Sequence, residues 1–515
     1  MAVFETLIGL LLVAALLLQL SRRIRAPYPT MLALAGACVA AFSLAPQMSL
    51  DPHLALVLFV SPALFNAAYD TSPHELRRDW FPLTALALFA VVLTTAAVAW
   101  AGWAYAGLPL AAAIALGAIV APPDAAAASA VLTNLGLPRR TMTVLQGESL
   151  LNDAIALLLF GVAVAVSERG PVDLPTLVPQ LLLAAPGGIL LGLAAGYVFV
   201  RLWPIWSGTM SSTILEFAAT FAVWLIAERL AVSPVLAIVA YAILIAQKGP
   251  DRQTARDRVH SYSVWAATIF ILNVLAFLLM GMQAREILQS LERRELLDAL
   301  AFAGIVFVIV VAVRLVWVMT YRELLGPLFT AMALPAADGG NRRLRLLVSW
   351  CGMRGILTLA TAFSLPTEFP GRNVIVLSAF MVVLGTLIVQ GATIAFVIRL
   401  LGIPPDSSLD TELRAGRAKL AKAAIAALSG RTEPDAAPLR AKLEATLAQT
   451  RRKTAGEDDE AEDLRMVVVA AERQTLNEMH RTGAIAEDAF QVLQEELDWF
   501  ELNAAPRTDR EIAET

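Results

Sequence analysis

The residues best placed to do chemistry are Gly147-Glu148-Ser149-Leu150-Leu151-Asn152-Asp153, which lead straight into the apolar run Ala154-Ile155-Ala156-Leu157-Leu158-Leu159-Phe160. On a helix, Ser149 and Asp153 share one face, and Glu148 and Asn152 share the neighbouring one. Asp153 then stands about 7 Å further along the axis than Glu148, near the middle of the span. Ionisable side chains at membrane depth are costly, so they line cavities or ion paths or pair with one another. A buried polar network that only pins helices together is the structural alternative. The pattern points instead to an ion-coordinating carboxylate, Asp153.

Two other segments interrupt apolar stretches. Ala121-Pro122-Pro123-Asp124 places adjacent prolines in mid-span, where they remove backbone donors and clash with the preceding turn. Gly352-Met353-Arg354-Gly355 sets two glycines and an arginine in the middle of another. Arg314, in Val311-Ala312-Val313-Arg314-Leu315, is alone in an apolar span and needs an anionic partner there.

The elements that must position these residues are membrane helices. The chain has 515 residues, 58% of them hydrophobic and only 16% charged, too apolar for an ordinary soluble protein. Apolar runs of about 20 residues recur, which predicts an all-α polytopic membrane protein. About thirteen spans are expected, at 2–20, 30–46, 53–70, 81–105, 109–134, 142–167, 174–203, 212–230, 232–247, 262–283, 296–320, 344–365 and 373–401. Two cysteines, Cys38 and Cys351, both in apolar segments, argue against a disulfide framework. The first span is followed by Arg22, Arg23 and Arg25 and preceded by no basic stretch, which predicts an anchor rather than a cleaved signal peptide.

Arginine and lysine set the expected orientation. Arg77 and Arg78, Arg139 and Arg140, Lys248 to Arg258, and Arg322 to Arg345 fall in odd-numbered loops, against Arg285, Arg293 and Arg294 in an even one. The positive-inside rule therefore puts the amino terminus outside and the carboxyl tail in the cytoplasm of a cell inner (plasma) membrane protein. If spans 1–6 and 8–13 are inverted repeats about span 7, the broken fifth and twelfth spans are equivalent. Such a pair marks the binding site of a transporter. The expected domains are 1–405, a transmembrane transport domain, and 406–515, a cytosolic tail. The tail holds amphipathic helices at 414–428 and 439–452, an acidic linker at 455–463 and a helical pair at 463–503.

Together, Gly-Glu-Ser-Leu-Leu-Asn-Asp at 147–153, Pro-Pro-Asp at 122–124 and Gly-Met-Arg-Gly at 352–355 resemble the sodium/proton exchanger branch of the monovalent cation:proton antiporters. Leu76-Arg77-Arg78-Asp79-Trp80 resembles that family's bacterial members. The resemblance runs from span 1 to span 13. It implies a homodimer whose protomers have a dimerisation domain and a mobile six-helix core. It also implies that Asp153 exchanges a cation for a proton, with Ser149, Asp124 and the main-chain carbonyl of Pro123 helping to hold the transported Na⁺. Glu148 would be a structural anion paired with Arg314, while Asn152 and Arg354 brace the crossing of two broken helices. Two positions depart from the pattern. Pro123 stands where a hydroxyl residue often precedes the aspartate, and Asn66 where relatives often have an acid, so no second carboxylate is expected near the cytoplasmic funnel.

One carboxylate can couple two fluxes if it crosses only when loaded. A bare Asp153 in low dielectric is prohibitive, whereas with Na⁺ or H⁺ it is neutral. Hard cations want oxygen ligands, which Asp153, Asp124, Ser149 and backbone carbonyls supply. Asn152 stands where electrogenic relatives have a second aspartate, so one cation per proton is expected. K⁺ in place of Na⁺ (or Li⁺) is the nearest alternative. An intramembrane aspartyl protease would need a Gly-x-Gly-Asp pattern, but here Asp153 follows Asn and Asp124 follows Pro. A channel would need a repeated filter that the sequence lacks. No cofactor, no enzymatic chemistry and no nucleic-acid partner is expected; the partners are the two ions, the lipid bilayer and a second copy of the chain.

Overall fold

In the computed structural model the described residues are 28–41, 51–71, 73–124, 139–169, 174–209, 211–249, 251–290, 292–331, 341–403, 408–429 and 436–452, with isolated positions before 28, at 128, and from 468 to 501. They are helical throughout their ordered elements. Most of the first expected span, 2–20, lies outside them, as do most of the second half of the fifth and the acidic linker. The chain forms two compact units, 1–405 and 406–514.

In the first unit the helices are α1 (Tyr28–Ala41), α2 (Pro52–Tyr69), α3 (Pro73–Ala106), α4 (Leu110–Val120), α5 (Arg139–Arg169), α6 (Leu174–Leu202), α7 (Ser211–Arg229), α8 (Pro234–Lys248), α9 (Ala255–Ser290), α10 (Arg293–Ala331), α11 (Arg342–Trp350), α12 (Ile356–Phe363) and α13 (Arg372–Leu401). Among the described residues, 7 helices are long and apolar enough to cross a membrane, and α2, α4 and α8 are shorter apolar ones. The chain is thus a multi-pass membrane protein.

Local sequence explains the helix ends. Asp51 accepts from Leu54 N at 2.9 Å with Pro52 in the first turn, and Ser233 does the same for α8 with Pro234. Gly402 closes α13 in the left-handed region, φ 58°. Two groups of helices pack together. α3, α4, α5, α10, α11, α12 and α13 surround the interrupted segments, while α2, α6, α7, α8 and α9 form the other group, which meets the first through α2 and α9 on α12. In the second group Gly188 and Gly192 let α6 rest on the α8 backbone; a Cβ there would meet Ser233 O at 2.5 Å and Ala237 O at 2.1 Å.

The second unit contains α14 (Ser408–Ala427) and α15 (Ala436–Arg452), which pack on each other. Helical positions follow at 471–479 and 496–501, where Arg473 pairs with Asp498 at 2.7 Å and with Glu501. Residues 483–492, in the middle of the expected helical pair 463–503, lie outside the described residues.

Candidate functional site

The two interruptions meet. α4 stops at Val120, and residues 121–124 continue as non-helical chain before helical pairing resumes with Ala128 N on Asp124 O at 3.3 Å. α11 stops at Trp350, and α12 begins at Ile356. Adjacent prolines end the first; Gly352 and Gly355 flank the break in the second. Asp124 N donates to Met353 O at 2.6 Å, and Ile356 N donates to Asp124 Oδ2 at 3.3 Å. The carboxylate thus caps the amino end of α12, where the helix dipole favours negative charge.

Arg354, 1% exposed, caps the opposite polarity. Its Nε donates to Val120 O at 3.0 Å, Nη2 to Ala121 O at 3.1 Å and Nη1 to Gly352 O. Helix ends leave carbonyls without intrahelical partners, and in an apolar interior a guanidinium satisfies them. Its own backbone N donates to Thr386 Oγ1 at 3.0 Å, which ties the break to α13. Both glycines are sterically required. A Cβ on Gly355 would sit 1.7 Å from Asp124 Oδ2, and one on Gly352 2.2 Å from Arg314 Cδ.

α5 brings the carboxylate motif to this crossing. Ser149 Oγ donates to Pro123 O at 3.0 Å, joining the two motifs directly. Glu148, fully buried, accepts from Arg314 Nη1 at 2.7 Å and Nη2 at 3.2 Å, and Arg314 Nη2 also donates to Val348 O at 3.2 Å. Asn152 Nδ2 donates to Glu148 Oε1 at 3.3 Å, while its buried Oδ1 has no hydrogen-bond partner. Asn152 therefore braces the Glu148–Arg314 pair on α5 rather than reaching the broken segments through any bond the described residues show. Asp153, on the next face of α5, keeps partial access to the surface, and the charged group acting on it is Asp124.

All eight residues singled out by sequence thus lie around one crossing. Thr386 was not anticipated. Its signal is faint: a hydroxyl in an apolar span, which by itself only satisfies the backbone of its own helix. No group of three or more His, Cys, Asp or Glu able to hold a metal is found among the described residues. The oxygens available at the crossing are two carboxylates, one hydroxyl and carbonyls, a set suited to loose, reversible binding of a hard cation.

Comparison with known proteins gives the family and the fold. Residues 8–400 match the family model described as sodium/hydrogen exchanger, transmembrane. An uncharacterized Na(+)/H(+) exchanger of Mycobacterium tuberculosis is 31% identical over 437 residues, 83% of this chain and 80% of the relative. The uncharacterized Na(+)/H(+) exchanger YjcE of Escherichia coli is 29% identical, covering 97% of this chain and 98% of its own. The Bacillus subtilis protein described as a sodium, potassium, lithium and rubidium/H(+) antiporter is 29% identical over 92% of this chain and 74% of its own. Among solved structures, the sodium proton antiporter MjNhaP1 from Methanocaldococcus jannaschii shares the fold with a TM-score of 0.60 at 15% identity, covering 76% of this chain and 100% of that one.

Proposed function

Because the chain belongs to the sodium/hydrogen exchanger family, a family of transporters and not of enzymes, we propose that it exchanges Na⁺ (or Li⁺) for H⁺ at the single carboxylate of Asp153. The observation that carries this reading is the charge inventory of the crossing. Arg314 and Arg354 stand with Glu148, Asp124 and Asp153, two cations against three anions, all in or beside an apolar interior. Glu148 is committed to Arg314, and Asp124 to the amino end of α12. The negative charge left over belongs to Asp153.

A cation or a proton on Asp153 brings the cluster to neutrality. An empty Asp153 leaves one uncompensated buried charge, which costs several kcal/mol or more in low dielectric. Only loaded forms change the side to which the site opens, so each inward ion is matched by an outward one. In the cation-bound form Asp153 and Asp124 supply carboxylate oxygens. Ser149 Oγ and the second lone pair of Pro123 O complete the set. The hydrogen bond between Ser149 and Pro123 sets their spacing without consuming the hydroxyl's own lone pairs. In the proton-bound form the same carboxylate carries the proton and the cation's oxygens relax.

The exchange is one cation for one proton, since Asn152 adds no titrating group. The working unit is a homodimer in the plasma membrane, with the amino terminus outside and residues 406–515 as a cytosolic tail. K⁺ is the second substrate reading, favoured by the B. subtilis relative whose description includes potassium. The test is cation-induced dequenching of a ΔpH-sensitive dye in everted vesicles and proteoliposomes, across Na⁺, Li⁺ and K⁺. Wild type should dequench with Na⁺ and Li⁺, and Asp153→Asn with none. Exchange retained by purified, reconstituted Asp153→Asn would refute the assignment.

A further inference from the structure

A second group of buried polar residues lies away from the crossing and shares no residue with it. Where α2, α7 and α9 meet the loop between α8 and α9, a cavity of about 40 Å³ is lined by Asn66, Asp70, Glu216, Gln253 and Ser261, with aromatic walls. A cavity needs about 10–15 Å³ on this measure to hold one water, so this one takes a small ion with a water but no organic ligand.

Three buried groups in it lack a suitable partner, the Trp265 indole N–H among them. Glu216, 2% exposed in the apolar helix α7, accepts from Ser261 Oγ at 2.6 Å, and the Trp265 indole faces the same carboxylate. Both neighbours are neutral and leave its charge in place. Gln253 is 8% exposed, and its Oε1 has no hydrogen-bond partner. Its loop is fixed from both sides. Arg258 Nη1 donates to Gln253 O at 2.8 Å, and Asp257 accepts from Ser207 Oγ at 2.6 Å and Gly208 N at 2.9 Å. The loop that carries Gln253 is therefore fixed beside the cavity.

A water would satisfy Gln253 and leave the charge of Glu216. A proton on Glu216 satisfies both only as a direct O–H···O bond to Gln253 Oε1, which leaves the cavity itself empty. A cation answers both at once, and oxygen ligands of this kind suit hard cations. The remaining charged groups at the cavity, Asp70 and Arg258, are opposite in sign, Asp70 accepting from Asn66 Nδ2 at 3.2 Å. One buried carboxylate thus sets the charge, and a monovalent ion balances it where a divalent ion would overshoot.

We propose that this cavity is a second, non-transporting site for a monovalent cation, held by the Glu216 carboxylate, Gln253 Oε1 and Ser261 Oγ. The site sits between α2, α7 and α9, at the same end as the basic loop Lys248 to Arg258, so its occupancy follows the cation level on that side without taking part in exchange.

Binding of radioactive sodium and rubidium to the purified full-length protein in nanodiscs tests it, by scintillation proximity with unlabelled competitor. Asp153→Asn and Glu216→Gln should each remove about half of the displaceable tracer for the ion that binds, and the double variant all of it. Gln253→Leu and Ser261→Ala, which remove a ligand without burying a charge, should weaken the Asp153-independent fraction about tenfold, and they carry the test if Glu216→Gln does not fold. Full loss of tracer in Asp153→Asn, with Glu216→Gln equal to wild type, would overturn the proposal and leave an ordered water or a proton in the cavity. Full loss by Glu216→Gln with no effect of Asp153→Asn would uphold this site and refute the transport assignment instead.

Discussion

Separating Glu148 from Arg314 should damage the fold more than the chemistry. The pair is bidentate at 2.7 and 3.2 Å, with side chains 0% and 3% exposed. Charge centres roughly 4 Å apart attract by about 4 kcal/mol at an effective dielectric near 20. Deleting one partner forfeits that and leaves the other charge buried, a loss of about 3–5 kcal/mol. Neither survivor has an adequate substitute: Glu148 would keep only Asn152 Nδ2, and Arg314 only Val348 O. Arg314→Leu and Glu148→Gln should therefore each lower the apparent melting temperature of the detergent-solubilised protein by roughly 5–10 °C. The double variant removes both charges and should lose less than the two singles added together, by about 2–3 kcal/mol. Melting followed by fluorescence-detected size exclusion on all four proteins closes the cycle. Strict additivity would refute the pairing as an energetic unit. Exchange per folded protein should change far less than stability, because neither residue holds the transported ion.

Other expectations follow from the same geometry. In proteoliposomes at fixed ion gradients an imposed membrane potential should leave the exchange equilibrium unmoved; a reversal point that shifts with voltage would show net charge transfer and defeat one-to-one exchange. Gly355→Ala places a Cβ 1.7 Å from Asp124 Oδ2, so it should cost about 1–3 kcal/mol and abolish transport, and a variant that transports like wild type would show that the crossing does not have this shape. Thr386→Val leaves Arg354 N without its acceptor, at a cost of about 1–3 kcal/mol seen as a lower melting temperature, with the Arg354 side-chain bonds to Val120 and Ala121 intact.

What could be read from the sequence followed one rule: a charge or a helix breaker stands out against apolar residues. Asp153, Arg314, Pro122, Pro123 and Arg354 announce themselves that way, and the helices between them follow from hydropathy. Contacts made by groups that every residue carries are silent. Nothing in Val120 or Ala121 says that their carbonyls will cap a guanidinium 233 residues or more away in the chain. Thr386 is ambiguous because a hydroxyl in a helix can always bond its own backbone, and it does so to Val383 O at 3.0 Å. Glu216 is different. It is an acid in an apolar span, the same signal as Asp153, but it lacks a surrounding motif, and Asn66 argues against a carboxylate near that end. Burial and an unpaired neighbour, which only packing defines, give it meaning.

The glycines of α6 have a mechanical consequence. Gly187, Gly188, Gly192 and Gly196 all face α8 and the turn before it, with Val232, Ser233, Ala237 and Leu244 where their side chains would be. Sliding α6 by one residue, about 1.5 Å, would carry Leu191 or Leu193 toward the place that only a hydrogen atom fills. The seam behaves as a keyed joint whose notches recur only every four residues, at Gly188, Gly192 and Gly196. Displacement between helices must then be taken up on other faces, such as α2 against α12. Half of the molecule is in this sense a fixed rail, and its rigidity is written in residues that have no side chain at all.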